Sequence, residues 1–144
     1  MNRTALALLI ISIALALSSL VLAHETRIVG EEGNQYKIIV GMLIEPIFTE
    51  QRNGLDLIVR TMDDEPVEGL ADSLSAEITS PGGTSTHAFD LRAQWGQPGR
   101  YTDDIVLSQP GVYAIRIWGF VGEVEFDEVF ETHAVRPLDE IRFP

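Results

Sequence analysis

From Tyr36 to His133 apolar and polar side chains alternate in short runs cut by turn residues. Leu55, Leu57 and Val59 alternate with Asp56, Ile58 and Arg60, which predicts a strand with one apolar face. Tyr36–Ile44 is rich in β-branched residues and stops at Glu45-Pro46. Leu74–Ile78 is a short strand ended by Ser80-Pro81-Gly82-Gly83, and His87–Leu91 is another. Tyr101–Leu107, Val112–Trp118 and Glu123–His133 complete the set, with Asp63-Asp64-Glu65-Pro66 and Gln97-Pro98-Gly99 as further turns. Beyond residue 23 no useful length of chain carries apolar residues at i, i+3, i+4 and i+7, so helix is confined to the N-terminal segment, apart from a turn around Val67–Ser73. The pattern predicts an all-β antiparallel sandwich of seven to eight strands over residues 24–134, with a surface tail, 135–144, carrying Pro137 and Pro144.

One hairpin can be assigned a register. A loop centred on Gly119-Phe120-Val121-Gly122 sets Ile117 opposite Val124 and Ile115 opposite Phe126 on one face. On the other face it sets Arg116 opposite Glu125 and Trp118 opposite Glu123, so apolar meets apolar and opposite charges meet. Tyr113, Ile115, Ile117, Val124, Phe126 and Leu57 are the expected shared core.

The first residues change the picture from a domain to an exported domain. Met1-Asn2-Arg3 supplies one positive charge, Thr4–Leu22 is uncharged and rich in Ala, Leu, Ile and Ser, and Val21-Leu22-Ala23 fits a cleavage site. Residues 1–23 therefore read as a helical signal peptide, with an uncleaved membrane anchor as the alternative, since the run is long enough to span a bilayer. Cleavage after Ala23 leaves residues 24–144, enough for one domain with its own core. The chain has no cysteine, so neither a disulfide nor a lipid-bearing cysteine is available, and packing alone must hold the domain. Removing the leader takes Arg3 with it and leaves nine basic against twenty-two acidic side chains, a formal charge of −13. Such a surface repels phosphate backbones and anionic lipid, which argues against nucleic-acid binding and leaves the N-terminal segment as the membrane contact if it is retained. The expected location is the periplasm or outside the cell.

Leu107-Ser108-Gln109-Pro110-Gly111-Val112-Tyr113 resembles the Leu-x-x-Pro-Gly-x-Tyr entry to a late strand of immunoglobulin-like and fibronectin-like domains. That resemblance implies a bond from the Tyr113 hydroxyl back to the preceding corner. Leu57-Ile58-Val59 through Asp64-Glu65-Pro66-Val67-Glu68-Gly69-Leu70, with Pro98-Gly99-Arg100-Tyr101-Thr102, is similar to the exported YtkA-like sandwich domains over Asn53–Glu131. Those motifs mark a fold, an immunoglobulin-like sandwich, and no chemistry. The CopC copper-resistance family is similar in its general architecture and in a mature chain that begins with His, there a Cu(II) ligand; its later Asp-Gly-His segment and Met-rich stretch are absent here.

Three histidines, His24, His87 and His133, are the candidate metal ligands. A cleaved N-terminal His offers its amine and ring Nδ1 in one chelate, donors that suit Cu(II), and His133 or His87 would add a further imidazole. Glu131 lies two residues before His133 on the same strand face. The acidic run Glu123, Glu125, Asp127 and Glu131 reads as a solvated edge that discourages strand-to-strand aggregation. No nucleophile elbow or triad spacing is present, carboxylate pairs are uninformative in so acidic a chain, and an enzyme is not expected. Trp95 and Trp118 are the residues from which an aromatic platform could be built. The leading functional reading is a non-catalytic exported module that binds or assembles with an envelope partner, without a cofactor. The alternatives are a periplasmic Cu(II) carrier or buffer using His24, and an accessory or sensor domain anchored by its N-terminal helix.

Overall fold

The computed structural model describes residues 23–144, so the expected signal segment lies, except for Ala23, outside the described residues. The described residues form ten strands: β1 (His24–Glu31), β2 (Asn34–Met42), β3 (Arg52–Thr61), β4 (Leu74–Thr79), β5 (Thr86–Phe89), β6 (Arg92–Ala93), β7 (Arg100–Thr102), β8 (Asp104–Val106), β9 (Ala114–Val121) and β10 (Val124–Glu131). A 3-10 turn, Leu138–Glu140, follows them. One sheet runs β1-β2-β3-β7-β6, with β8 pairing the start of β3, and the other runs β10-β9-β4-β5. Every strand pairing is antiparallel.

Alternation decides which side chains meet between the sheets. Ile38, Val40 and Met42 of β2 and Leu55, Leu57 and Val59 of β3 face Leu74, Ala76 and Ile78 of β4 and Ile115 and Ile117 of β9 in one buried cluster. All six expected core residues belong to it: Ile117 and Leu57 are fully buried, and Tyr113, Ile115, Val124 and Phe126 nearly so. Two tyrosines tie loops to this core. The Tyr113 hydroxyl donates to the Gln109 carbonyl at 2.8 Å, the bond its motif implies, and Tyr101 donates to the Val67 carbonyl at 2.6 Å while accepting from the Leu70 amide.

Three features differ from the sequence reading. First, β1 is a strand although its apolar positions do not alternate with its burial; only Val29 is buried, and the segment is an edge strand held by its ladder to β2. Second, the expected strand Tyr101–Leu107 breaks at Asp103. The Asp103 carboxylate accepts from the amides of Asp90 and Asp104 and from Arg92. Burial would raise its pKa, but those three donors prevail and hold it below the usual carboxylate value. Third, the β9–β10 register is displaced by four residues from the expected one. Val121 pairs with Val124 across a two-residue loop, Ile117 faces Glu128, and Ile115 faces Phe130.

The shorter loop wins because it lengthens the ladder. It buries Val121 completely and puts Gly122, at φ 59°, at the first loop position, where two-residue hairpins favour glycine. Gly119 is not a loop residue at all. It lies inside β9 opposite Phe126, and a Cβ there would sit 2.2 Å from the Ser73 carbonyl oxygen. Arg116 accordingly pairs with Asp127, at 2.7 and 2.9 Å, and not with Glu125. At the C-terminus, Val135 is buried and pairs with Gly111, and Arg136 bridges to Phe48, so the chain leaves the fold after those residues.

Truncating Ile117 to alanine should cost on the order of 2–4 kcal/mol in denaturant unfolding, the range for deleting a buried aliphatic side chain. The register makes a sharper demand. Gly119→Ala should destabilise by more than about 1 kcal/mol and by more than Gly122→Ala, because only the first drives a methyl into backbone. Equal losses at the two glycines would support the four-residue loop instead.

Candidate functional site at the start of β1

The outer face of the first sheet carries a polar row that the register assembles. His24 pairs with Gly41 and Gly41 pairs with Asp56, so the three lie side by side on β1, β2 and β3. Continuing the Leu57–Tyr101 register by one step puts Thr102 beyond Asp56, and Arg92 pairs with Thr102. The gap at Gly41 is what joins the row. A Cβ at that position would lie 2.6 Å from His24 Cδ2 and 2.7 Å from Cγ, so the imidazole rests directly on the glycine. From there Nε2 reaches Asp56 Oδ2 at 2.8 Å.

Asp56 is 3% exposed, and a buried carboxylate needs charged donors. Arg100 supplies one from β7, its Nη2 donating to the same Oδ2 at 2.8 Å, while its Nη1 is steadied by Gln97 at 3.3 Å. An ionised carboxylate only accepts, so Nε2 of His24 carries the ring proton and, in the neutral imidazole, Nδ1 keeps its lone pair. The geometry aims that lone pair. The Cγ–Cδ2–Nε2 edge of the ring faces Gly41 and Asp56, so the Nδ1–Cε1 edge faces away from β2 and β3. Asp56 Oδ1, Arg100 Nε and Thr102 Oγ1 are buried and find no hydrogen-bond partner among the described residues.

Beside the row lies an open cavity bordered by Ala23, His24, Glu25, Thr26, Glu131, Thr132 and His133. The end of β10 brings Glu131 and His133 to it because β10 runs next to β1: the Glu131 amide donates to Glu25 and Arg27 donates to the Val129 carbonyl. Glu45, in the bend after β2, stands 3.6 Å from His133 Nδ1, an ion-pair distance when the imidazole is protonated. Burial pushes the Glu45 carboxyl up, against the opposing pull of His133 and His24.

The structure therefore brings His24, His133 and Glu131 to one cavity, and it leaves His87 elsewhere. His87 lies on β5 at the edge of the other sheet, its ring edge-on to Phe89 at 5.7 Å, and lines a separate cavity with Ile78, Ser80 and Tyr113. Trp95 and Trp118 form no common platform. Trp95 is 97% exposed in the turn between β6 and β7, whereas Trp118 lies on β9 of the other sheet under the Arg116 guanidinium at 4.5 Å. Among the described residues no three His, Asp or Glu side chains converge in a metal-binding arrangement. Gly41, Glu45, Asp56 and Arg100 escaped the sequence reading, because Asp56 fits a polar outer face and nothing in an alternating strand marks that face as covered. Comparison with known proteins returned no matching family model and no matching curated protein.

Removing one partner of a buried ion pair costs about 3–5 kcal/mol, and His24 and Arg100, each about a quarter exposed, can recover some solvation. Asp56→Ala is therefore expected to lose about 2–3 kcal/mol in equilibrium unfolding. A neutral result would show the carboxylate to be solvated.

Proposed function

We propose that this chain is an exported, non-catalytic module of immunoglobulin-like type whose ligand is Cu(II), bound where the mature chain begins. The observation that carries the reading is the division of labour on His24: Nε2 is taken by Asp56, while Nδ1, the nitrogen able to close a chelate ring with the residue's own amine, is free of hydrogen bonds to the described residues. Removal of the leader after Ala23 turns the His24 backbone nitrogen into that amine. Amine and imidazole nitrogens suit Cu(II), which also stands highest in the divalent affinity order. His133 is the candidate third nitrogen, and Glu131 and Glu45 add negative charge around the same cavity. The net charge of −13 in the mature chain favours cations further. The resemblance of the expected mature N-terminus to that of CopC-like sandwiches points the same way, while the YtkA-like motifs bear on the fold alone.

The test compares mature protein beginning at His24 with the same protein carrying one extra N-terminal residue. The first should bind one equivalent of Cu(II), show nitrogen hyperfine structure in its electron paramagnetic spectrum, and bind Zn²⁺ more weakly. The second should bind more weakly by upwards of about 100-fold, since even changes one shell removed from a metal cost about 10–100-fold. His133→Ala should weaken binding and His87→Ala should not. Equal copper affinity with and without the extra residue would dispose of the reading and leave an envelope-assembly module that needs no metal.

A further inference from the structure

Gly41, Asp56 and Arg100 make no use of the free Nδ1, yet all three act on the same imidazole. Gly41 removes the one side chain that would lift the ring off the sheet, with contacts of 2.6 and 2.7 Å to a Cβ in its place. Asp56 takes Nε2 at 2.8 Å, and Arg100 loads the same oxygen at 2.8 Å. A histidine on an edge strand ordinarily keeps its rotamer freedom; this one is held on a glycine and by a nine-tenths buried carboxylate. We propose that Gly41, Asp56 and Arg100 are positioning residues: together they form a seat that fixes His24 in one rotamer and as the Nε2–H tautomer, holding Nδ1 ready at the outer end of β1 before any ligand arrives. The function of the seat rests on the copper reading, but its geometry does not. A ligand that is already oriented binds without a further ordering cost, and groups that hold a metal-binding imidazole through its second nitrogen raise affinity for that reason.

The seat is separable from a plain tie between strands because it predicts the state of one nitrogen. In metal-free mature protein above pH 8, ¹⁵N spectroscopy should show a hydrogen-bonded His24 Nε2–H that exchanges slowly with water. Asp56→Asn and Arg100→Met should each speed that exchange by about tenfold or more, the factor for an opening made 1.4 kcal/mol easier. Gly41→Ala should abolish the signal. Folding is checked by a cycle. In mature protein, which lacks the Ala23 carbonyl 2.9 Å from that position, Gly41→Ala should lower the melting temperature when His24 is present and leave it unchanged in the His24→Ala background, since the new methyl group clashes with the imidazole. Copper affinity should fall about 10–100-fold in Asp56→Asn while the electron paramagnetic signature of two nitrogens persists. A His24 Nε2–H that exchanges freely in the wild type would overturn the seat, as would Gly41→Ala costing the same with and without His24. Those outcomes leave the copper reading standing if the extra N-terminal residue still destroys binding. A protected Nε2–H in a protein that takes up no copper would instead uphold the seat and remove the copper reading.

Discussion

Burial of β3 on both of its faces sets the terms for everything around it. From Asn53 to Val59 every residue is buried, although only Leu55, Leu57 and Val59 point between the sheets. The opposite face, Gly54, Asp56 and Ile58, is covered as well, with Leu43 and the Asp103 carbonyl against Gly54 and His24 and Arg100 reaching over Asp56. A covered carboxylate must be paired, because an unpaired one would shed its charge or unfold its surroundings. Asp56 thus recruits β7 through Arg100 and the edge strand β1 through His24. The same bond that satisfies the carboxylate decides which imidazole nitrogen remains available.

The interior was legible in the sequence and the ladder was not, for a reason rooted in the period of a strand. A slip of one residue exchanges the two faces, but a slip of four restores them. Ile115, Ile117, Val124 and Phe126 therefore point inward under the expected register and under the real one. Core placement cannot tell the two apart; the discriminating information is the close approach of Ser73 to Gly119, a contact between segments more than forty residues apart that no local pattern carries. The partner of Arg116 moved from Glu125 to Asp127 for the same cause.

Of the site, His24 and His133 were legible because their residue type and the leader sequence mark them. What positions them was not. β1 lacks alternation because it is an edge strand with only Val29 pointing into the core, and Gly41 reads as an ordinary strand glycine until its neighbour on β1 is known. His87 shows the converse failure. Its chemistry is identical to that of His133, yet β5 and β10 are opposite edges of one sheet and only β10 runs beside β1, a placement that sequence alone does not reveal.

Charge completes the case for where a cation would settle. Each described basic side chain is already committed: Arg27 to Glu25, Lys37 to Asp64, Arg52 to Asp104, Arg92 to Asp103, Arg100 to Asp56, Arg116 to Asp127, Arg136 to Glu140 and Arg142 to Asp139, with Arg60 bound to the Asp64 carbonyl. The carboxylates in excess of these pairs are spread over the surface, and most are exposed, where a diffuse counter-ion suffices. Glu131 differs, because it borders the cavity that also holds His24 and His133 and forms no ion pair among the described residues. Glu45 adds a second carboxyl whose burial resists ionisation while both imidazoles favour it. A cation entering there would meet one imidazole held in place, a second within reach, and the Glu131 carboxylate without an ion pair, whereas along the strand edge at Glu123, Glu125 and Asp127 it would meet carboxylates alone, one of them already held by Arg116. An oriented imidazole and a carboxylate without an ion pair coincide at the start of β1, and the copper proposal rests on that coincidence more than on the count of acidic residues.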